Sequence, residues 1–539
     1  MAANQKARRP IGKKLVIACD GTWQNSDAGF DKSPFQPPKA QILTNVTRIV
    51  RALNHHDENG IPQIAYYQRG VGTDGDIEDK IVGGMTGNDI SEHIREAYAF
   101  VANNYDPSTS EELDIALKDE SKVMDEIVLL GFSRGAYTAR CISSLITDMG
   151  LLTKLGMEQF WGIFTDWKNQ NVEGHESEWF LKTYQQVASD FKAKKGRKII
   201  FTDPEYRDTL KQHKLTRWGM PIRAVGVWDT VGSLGIPLPL SANNVKPYSF
   251  VNTKVAQHIE YAFHAMAIDE RRHLFSPTVW ERPDSPTMLK KLKQCWFPGS
   301  HSNIGGGYED ASASVLSLAW MVSQLEDNGK ILSFNQKYLE FVQDLSIKYY
   351  VDNKLPVRPW GFGTLYDSAI ITNPESLVEG INPINRTPGR YHEVDLKTGK
   401  PGNTPLIDTR ECIHRCVRQR IEGGGPGIQV RATFYSFLYK LFGSWFSFFT
   451  KAWTTTSLGD KFLLLGKQAL GLHPHMVEET KSYTPKALSN YTLADDRTKG
   501  TGVTYQAHDK EKNLLEDELG SMEIHLLKRM NDLVGTTKH

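Results

Sequence analysis

The 539-residue sequence predicts an α/β fold, in which a mostly parallel sheet carries helices on both of its faces. Short apolar runs alternate with segments whose apolar residues recur at helical spacing, a pattern typical of parallel strands joined by crossover helices. The runs are almost continuously apolar, which indicates strands buried on both sides. This alternation extends from about residue 12 to about residue 330 and then weakens. We therefore expect a domain at 12–330 and a mainly helical, partly irregular C-terminal extension at 331–539.

The elements of the domain follow one another in order along the chain. The predicted strands are Lys14–Cys19, Ile64–Tyr67, Asp125–Leu130, Ile222–Val227 and Leu292–Phe297. The predicted helices are Thr44–Leu53, a segment from Asn88 or Asp89 to about Asn103, Ala136–Met149 and Ala313–Leu325. Each of these helices has its apolar residues three or four positions apart, which places them on one face. The segment between His264 and His273 is also expected to be helical.

Two further segments interrupt or follow this pattern. A polar stretch with helical spacing, residues 151–215, is expected to be a lid-like insertion that projects over the carboxyl edge of the sheet. In the extension, Phe434–Leu465 is the most apolar part of the chain and is expected to be helical. Two interpretations of this segment are open: a buried helical hairpin, or a surface that meets a hydrophobic substrate or a membrane.

The composition excludes several classes of protein. The 64 basic and 63 acidic residues leave a net charge of +1, whereas nucleic-acid-binding proteins carry a marked basic excess or stripe. The five cysteines form no Cys-x-x-Cys pair, so neither a disulfide framework nor a zinc site is expected. We expect no metal, no organic cofactor and no nucleic-acid partner.

The sequence also bears on the cellular compartment. The first 14 residues are basic and polar and lack the apolar core of a secretory signal. No uninterrupted apolar run reaches the ~18 residues that a membrane span needs. We expect a cytoplasmic protein, and leave open both peripheral membrane contact and the oligomeric state.

The segment Gly-Phe-Ser-Arg-Gly at residues 131–135 carries the clearest chemical signal in the sequence. It matches Gly-x-Ser-x-Gly and lies between a predicted strand and a predicted helix that begins with small residues. In this setting the serine occupies a sharp turn, and the two glycines let strand and helix approach without Cβ clashes. Ser133 is therefore the candidate nucleophile of an α/β-hydrolase-like enzyme. The alternative interpretation is a purely structural turn.

A nucleophilic serine needs a general base and an acid that orients this base. In hydrolases of this type the acid and then the histidine come later in the chain, each after a strand. Asp229 closely follows the predicted strand Ile222–Val227, and His301 follows Leu292–Phe297. The carboxyl ends of parallel strands lie at one edge of a sheet, which would bring these side chains together. We expect Asp229 as the acid and His301 as the base, with His414 as the alternative base.

Such a hydrolase stabilises the oxyanion of its tetrahedral intermediate with backbone N–H groups. One donor is expected at Arg134, directly after the candidate nucleophile. The second donor is expected in the loop after the strand Lys14–Cys19, where Gly21 and Thr22 are the candidates.

Six blocks of sequence resemble a known family, in the order in which that family has them. The blocks are Cys-Asp-Gly-Thr-Trp (19–23), Thr-Asn-Val-Thr-Arg (44–48), Gly-Phe-Ser-Arg-Gly-Ala-Tyr-Thr-Ala-Arg (131–140), Gly-Val-Trp-Asp-Thr-Val-Gly-Ser-Leu-Gly (226–235), Ala-Ile-Asp-Glu-Arg-Arg (267–272) and Trp-Phe-Pro-Gly-Ser-His-Ser-Asn-Ile-Gly-Gly-Gly-Tyr (296–308). The family consists of α/β-hydrolase domains and includes the catalytic domains of class-one (Tle1-like) type VI secretion phospholipase effectors, with uncharacterised bacterial and fungal proteins. The resemblance covers about residues 12–330.

The resemblance implies a phospholipase or esterase that acts on a lipid or another hydrophobic ester through Ser133, Asp229 and His301. The sequence departs from the family at Asn303, where many members have aspartate. The resemblance does not reach Phe434–Leu465. Two alternatives stay open: a carboxylesterase for small soluble esters, and a non-catalytic interaction protein on a hydrolase scaffold. The intact serine turn disfavours the second, because a scaffold has no need of a serine on a strained turn.

Overall fold

A ten-stranded sheet forms the centre of the structure, a computed structural model that describes residues 12–21, 30–31, 39–40, 42–70, 87–106, 125–172, 174–231, 253–272, 275–368, 384–394, 401–429, 482–495, 502–508 and 512–536. In chain order its strands are β1 (Lys14–Cys19), β2 (Gln63–Gln68), β3 (Glu126–Phe132), β4 (Ile222–Trp228), β5 (Ile259–Ala267), β6 (Lys291–Phe297), β7 (Glu411–His414), β8 (Tyr491–Asp495), β9 (Val503–Ala507) and β10 (Leu514–Asp517). Their order across the sheet is β8-β9-β10-β7-β6-β5-β4-β3-β1-β2.

The sheet is mostly parallel. All neighbouring pairs from β2 across to β10 run parallel, whereas at the far edge β9 pairs in the antiparallel sense with both β10 and β8. All five predicted strands are present, as β1 to β4 and β6. The predicted fold class, a mostly parallel α/β-hydrolase-like sheet with helices, is confirmed.

Helices cover both faces of this sheet. The described helices are α1 (Asn45–Ala52), α2 (Gly87–Asn104), α3 (Ser133–Met149), α4 (Lys154–Glu158), α5 (Phe160–Lys168), α6 (Glu178–Thr183), α7 (Gln185–Lys195), α8 (Pro204–Gln212), α9 (His301–Gly305), α10 (Ser312–Asp327), α11 (Gln336–Asp352), α12 (Arg415–Glu422) and α13 (Ser521–Thr536). Within β1, Leu15 and Ile17 pack with α2 and α3, whereas Val16 and Ala18 pack with α1 and α10. Alternate residues of a strand point to opposite faces, so the two helical layers enclose the sheet.

Short elements complete the described part of the chain. They are a 3₁₀ turn at Lys486–Leu488 and the strand pairs Phe30–Asp31 with Lys39–Ala40, Leu151–Leu152 with Thr216–Arg217, Leu365–Tyr366 with Ile428–Gln429, and His392–Val394 with Pro401–Pro405. None of the described helices is both long enough and apolar enough to cross a membrane.

The segment around His264 is a strand, β5, and the predicted helix there is wrong. Phe263, Ala265 and Ala267 share one core layer, which is the period-two pattern of a strand. The charged residues Asp269 to Arg272 lie in the loop after this strand.

The insertion lies elsewhere than expected. It leaves the C-terminal end of α3 and returns at the start of β4. Because α3 runs back along the sheet from the end of β3, both ends of the insertion lie at the amino edge, opposite Ser133. Its aromatic side chains, among them Phe160, Phe164 and Trp167, belong to the same buried core layer as α2 and α3. The insertion therefore thickens one helical layer, and its expected place over the carboxyl edge is corrected.

The extension contributes to the central sheet. Strand β7 pairs with β6, and β10 pairs with β7, so the sheet continues beyond residue 330. Helices α11 and α13 pack in the same core layer as α10. The domain boundary at 330 stays a prediction, and Phe434–Leu465 lies outside the described residues.

Candidate active site

Ser133 occupies a sharp turn between β3 and α3. Its backbone φ is +58°, in the left-handed region that non-glycine residues rarely adopt. Such a conformation costs about 1–3 kcal/mol and persists only where the surrounding structure enforces it. The residue is 6% exposed and lies at the carboxyl edge of the sheet. The strand–turn–helix arrangement that the sequence predicts around this serine is therefore present.

The two flanking glycines enforce this turn. A Cβ atom on Gly131 would lie 2.5 Å from the carbonyl oxygen of Gly135, and one on Gly135 would overlap the carbonyl oxygen of Cys19. Any larger residue at either position would push α3 away from β3 and β1. Strand and helix can thus pass this closely only with glycine at both positions.

Asp229 and His301 lie at the same edge of the sheet as Ser133. Phe132 and Trp228 are paired residues of β3 and β4, so Ser133 and Asp229 are the first residues after neighbouring strands. His301 begins α9, in the loop region after β6. The His301 Nδ1 atom lies 2.6 Å from Asp229 Oδ2.

The carboxylate of Asp229 is fully buried and saturated with donors. The backbone N–H of Ala267 donates to Oδ1 at 2.9 Å. The guanidinium of Arg386 donates to Oδ1 at 2.5 Å and to Oδ2 at 3.0 Å. Burial alone would raise the pKa of Asp229, but the Arg386 charge and the His301 contact hold this pKa well below its usual range. Asp229 is therefore ionised at neutral pH.

The imidazole of His301 lies between two aromatic rings. The Phe132 ring lies 4.6 Å from it, measured between centroids, and the Phe275 ring meets it edge-on at 4.9 Å. Burial lowers the pKa of His301 below its ordinary value, although Asp229 opposes this shift. At neutral pH the ring is thus uncharged, and the ionised Asp229 fixes its proton on Nδ1. This tautomer leaves Nε2 with a lone pair that can accept a proton.

The described residues contain no hydrogen bond between Ser133 Oγ and His301. The two residues are neighbours through Phe132, which precedes the serine and whose ring lies against the imidazole at an interplanar angle of 31°.

The loop after β1 lies against the serine turn. A Cβ atom on Gly21 would lie 3.0 Å from the Phe132 ring and 3.4 Å from Ser133 Cβ, so this loop is a close neighbour. The Gly21 N–H, however, donates to Asp20 Oδ1 at 2.7 Å and is occupied in this structure. Thr22, the other candidate donor from this loop, lies outside the described residues.

Asp20 anchors this loop to the neighbouring elements. Its Oδ2 accepts hydrogen bonds from the hydroxyls of Tyr67 at 2.7 Å, Thr44 at 2.8 Å and Thr47 at 3.3 Å. Burial raises the pKa of Asp20 to about 6, although these donors favour the charged form. The sequence blocks at 19–23 and 44–48 therefore meet in one hydrogen-bonded cluster beside the site.

His414 lies apart from the serine turn. Its Nε2 atom is 2.7 Å from Glu523 Oε1, and its Nδ1 atom is 2.8 Å from Cys416 Sγ. The side chain is fully buried and stacks on Phe297 of β6. Within the described residues, none of the hydrogen bonds, ion pairs or ring contacts of His414 involves Ser133.

One group of side chains outside this site has metal-ligand chemistry. Cys295, Cys412 and Asp517 offer ligand atoms within 4.8 Å of one another. Asp517 already accepts a hydrogen bond from Trp320 Nε1 at 2.8 Å and pairs with Lys293 Nζ at 2.5 Å. The ammonium supplies the positive charge that a cation would bring, so this cluster is satisfied as it stands.

The family can now be stated from the whole sequence. A model of the family described as "T6SS, Phospholipase effector Tle1-like, catalytic domain" matches residues 13–324, which is more than half of the chain. The chain belongs to this family. The resemblance predicted from the six sequence blocks is thereby confirmed.

Individual relatives of this Tle1-like protein are distant. An uncharacterised protein of the yeast Saccharomyces cerevisiae is 25% identical over 452 residues, which cover 80% of this chain and 52% of the yeast protein. A solved structure of an uncharacterised protein from Pseudomonas aeruginosa has a TM-score of 0.35 and 14% identity, covering 64% of this chain and 50% of that one. The Tle1 effector bound to the VgrG spike of the type VI secretion system has a TM-score of 0.27 and 19% identity, covering 56% and 52%. This chain spans about half the length of each of these proteins.

Proposed function

We propose that this protein is a serine hydrolase that cleaves carboxylic esters of lipids, with Ser133 as nucleophile, His301 as base and Asp229 as orienting acid. The observation that carries the proposal is the 2.6 Å contact between His301 Nδ1 and Asp229 Oδ2, at the sheet edge that also bears Ser133 on its left-handed turn. Membership of a phospholipase family supports the reaction class.

The reaction follows from the protonation states of these groups. His301 Nε2 accepts the hydroxyl proton of Ser133 as Oγ attacks the ester carbonyl carbon, while ionised Asp229 stabilises the resulting imidazolium. The tetrahedral intermediate then collapses and expels the alcohol, which takes the proton from His301. A water molecule, deprotonated by the same imidazole, attacks the acyl-serine and releases the carboxylic acid and free Ser133.

The oxyanion of each tetrahedral intermediate needs backbone donors. We assign one donor to the amide of Arg134, because this residue directly follows the nucleophile. We assign the second donor to residue 21 or 22, because Gly21 lies against the serine turn. Since the Gly21 amide is bonded to Asp20, Thr22 is favoured as the donor from this loop.

A cavity of about 290 Å³ beside the site favours a hydrophobic ester over a small soluble one. Phe275, which packs on the His301 ring, lines this cavity. The remaining walls include apolar side chains, among them Pro277, Val279, Ile384 and Leu406. Charged side chains, among them Glu270, Arg272 and Arg390, line the same cavity. Apolar walls next to charged groups suit a lipid, which joins an apolar chain to a polar head group.

Replacement of the nucleophile tests this proposal. Ser133→Ala should abolish ester hydrolysis and labelling by a fluorophosphonate while the far-UV circular dichroism stays unchanged, because loss of a triad serine lowers kcat about 10⁶-fold. Ser143→Ala is the matched control, since Ser143 lies on the same helix and its hydroxyl donates only to the carbonyl of Arg140. Esters of increasing chain length and phospholipid vesicles then separate a lipase from a small-ester carboxylesterase. More than a few per cent of wild-type turnover in the Ser133→Ala variant would exclude Ser133 as the nucleophile.

A further inference from the structure

Arg386 lies in the C-terminal extension, beyond the 13–324 region that defines the family. We infer that Arg386 is a positioning residue: its guanidinium fixes the carboxylate of Asp229, and through Asp229 it sets the orientation and the proton affinity of His301. This inference rests on the triad proposed above. It implies that a residue of the extension completes the hydrolase site.

The contact geometry is that of a two-pronged clamp. Arg386 Nη1 donates to Asp229 Oδ1 at 2.5 Å, and Nη2 donates to Oδ2 at 3.0 Å. The same two nitrogens donate to the carbonyl oxygens of Ala267 at 2.8 Å and Phe275 at 2.7 Å. Arg386 is 4% exposed and Asp229 is fully buried, so water does not compete for these bonds. A planar guanidinium that meets both carboxylate oxygens fixes the plane of the carboxylate.

This clamp bears directly on His301. Asp229 Oδ2 is shared between Arg386 and His301 Nδ1, while Oδ1 is held by Arg386 and the Ala267 N–H. The carboxylate therefore cannot rotate about its Cβ–Cγ bond without breaking bonds on the side opposite the imidazole. The direction of the His301 ring is set by a group outside the triad.

The clamp also changes the charge balance at the imidazole. An unpaired acid would stabilise the imidazolium strongly and raise the pKa of the base. The Arg386 charge offsets part of the Asp229 charge, so the coupled His301–Asp229 pair releases its proton at a lower pH. His301 is thus kept uncharged, which is the form that a general base requires.

The other ionisable groups near the His301–Asp229 pair are either ion-paired or uncharged. Glu270 accepts a hydrogen bond from the His301 backbone N–H at 3.1 Å, and it is itself ion-paired with Arg272 at 3.0 Å. His264, whose Nε2 accepts from the Thr230 N–H, is uncharged because burial lowers its pKa to about 3. Arg386 is therefore the cation that directly contacts the acid.

The fold holds the segment that carries Arg386 on both sides. The N–H of Ile384 donates to the carbonyl of Arg271 at 2.9 Å, and the N–H of Gly389 donates to Glu411 Oε1 at 2.9 Å. The first contact ties the segment to the loop after β5, and the second ties it to β7. The segment that carries the guanidinium is therefore held on one side by a loop carbonyl and on the other by the side chain of Glu411.

The pH dependence of labelling tests the inference without any knowledge of the natural substrate. The second-order rate constant of fluorophosphonate labelling would be measured from pH 4.5 to pH 9 for the full-length wild type, Arg386→Gln and Arg386→Lys. In Arg386→Gln the acid limb of the pH–rate profile should move to higher pH by about one unit, because the pKa of His301 rises when the Arg386 charge is removed. The labelling rate constant on the plateau of this profile should fall at least about tenfold. Arg386→Lys keeps the positive charge but loses the planar guanidinium that meets both carboxylate oxygens. Its acid limb should therefore stay near that of the wild type while its plateau rate falls.

Arg418→Gln is the matched control, because Arg418 makes a comparable two-pronged pair with Glu516, at 2.7 and 3.0 Å, elsewhere in the extension. It should keep the wild-type acid limb and plateau even if its melting temperature falls. A folded Arg386→Gln variant with an unshifted acid limb would overturn the inference. A wild-type plateau rate in Arg386→Lys would overturn it as well. If the glutamine variant does not fold, the lysine variant alone provides the test. Labelling of Ser133→Ala as fast as wild type would instead refute the triad on which the inference rests.

Discussion

Two residues of the proposed site, Ser133 and Asp229, have left-handed backbone conformations, with φ angles of +58° and +43°. Neither is glycine, so both conformations carry strain, which is typical of functional turns. At Ser133 the close approach of strand and helix imposes the turn. At Asp229 the backbone N–H donates to Ala265 at 2.7 Å, and the side chain turns toward Arg386 and His301. Backbone strain thus aims both side chains at one edge of the sheet.

The two candidate bases differ in what each histidine contacts, and a pair of variants separates them. His301→Ala should reduce turnover about 10⁶-fold, as expected for loss of the base of a triad. His414→Ala should instead lower stability by about 3–5 kcal/mol, because it leaves the buried Glu523 carboxylate unpaired. Its turnover per folded molecule, measured well below the melting temperature, should stay close to that of the wild type. Loss of activity only in the His414 variant would move the base to the extension.

The sequence allows prediction of these side chains to different extents. Ser133, Asp229 and His301 could be named because each follows a recognisable apolar strand in the order that hydrolases use. Arg386 could not, since it lies in a stretch rich in proline, glycine and asparagine, without periodicity, and far from Asp229 along the chain. The occupied amide of Gly21 was equally hidden, because it depends on the position of a neighbouring carboxylate.

At the scale of elements, Asn303 fastens the short helix α9 that begins with His301. Its Oδ1 accepts the N–H of Ser300 at 3.2 Å and the N–H of Tyr366 at 3.0 Å. Its Nδ2 donates to the carbonyl oxygen of Thr364 at 3.0 Å. An aspartate could accept the first two bonds but could not make the third. Asparagine can therefore bond both backbone groups, the N–H of Tyr366 in the strand Leu365–Tyr366 and the carbonyl oxygen of Thr364 before it.

Asn303→Asp should therefore destabilise the protein and disturb the base. The substitution places a carboxylate against the Thr364 carbonyl and removes a buried hydrogen bond, which costs about 1–3 kcal/mol. Since α9 carries His301, kcat should fall more than KM rises. Asn104→Asp is a matched control, because exposed Asn104 also donates to a backbone carbonyl, that of Phe100 at 2.8 Å. Thermal melts and steady-state kinetics of both variants check this expectation, and equal effects in the two would contradict it.

Most elements of the domain could be predicted because their apolar periodicity is strong. The helix predicted between His264 and His273 overlaps strand β5, where the alternation of Phe263 and Ala265 identifies a strand. The position of the insertion was missed for a topological reason. Helical spacing at 151–215 indicates helices, but only the direction of α3 reveals that they attach at the amino edge.

At the scale of the whole molecule, one sheet crosses the predicted boundary at residue 330. Cys295 and Trp296 of β6 pair with Cys412 and Ile413 of β7. Side chains reinforce this junction, since Trp296 Nε1 donates to Glu411 Oε1 at 3.0 Å. The weaker periodicity after residue 330 predicts a separate extension. Periodicity, however, identifies single elements and does not show which sheet they join. We propose that the two parts form one cooperative unit.

This proposal predicts that the site and the extension unfold together. Ile413 is fully buried in β7, and Ile413→Ala should cost about 2–5 kcal/mol. Because β7 continues the sheet that carries the site, the variant should lower two midpoints by the same amount: that of far-UV circular dichroism and that of fluorophosphonate labelling of Ser133. Leu515→Ala is the control, because Leu515 on β10 is 60% exposed and a surface change of this kind shifts stability by about 0.5 kcal/mol or less. If Ile413→Ala produced an early transition in circular dichroism while labelling kept its wild-type midpoint, the extension would be an independent unit. Arg386 would then leave Asp229 before the site itself unfolds. Between the two midpoints, the pH dependence of labelling should therefore change.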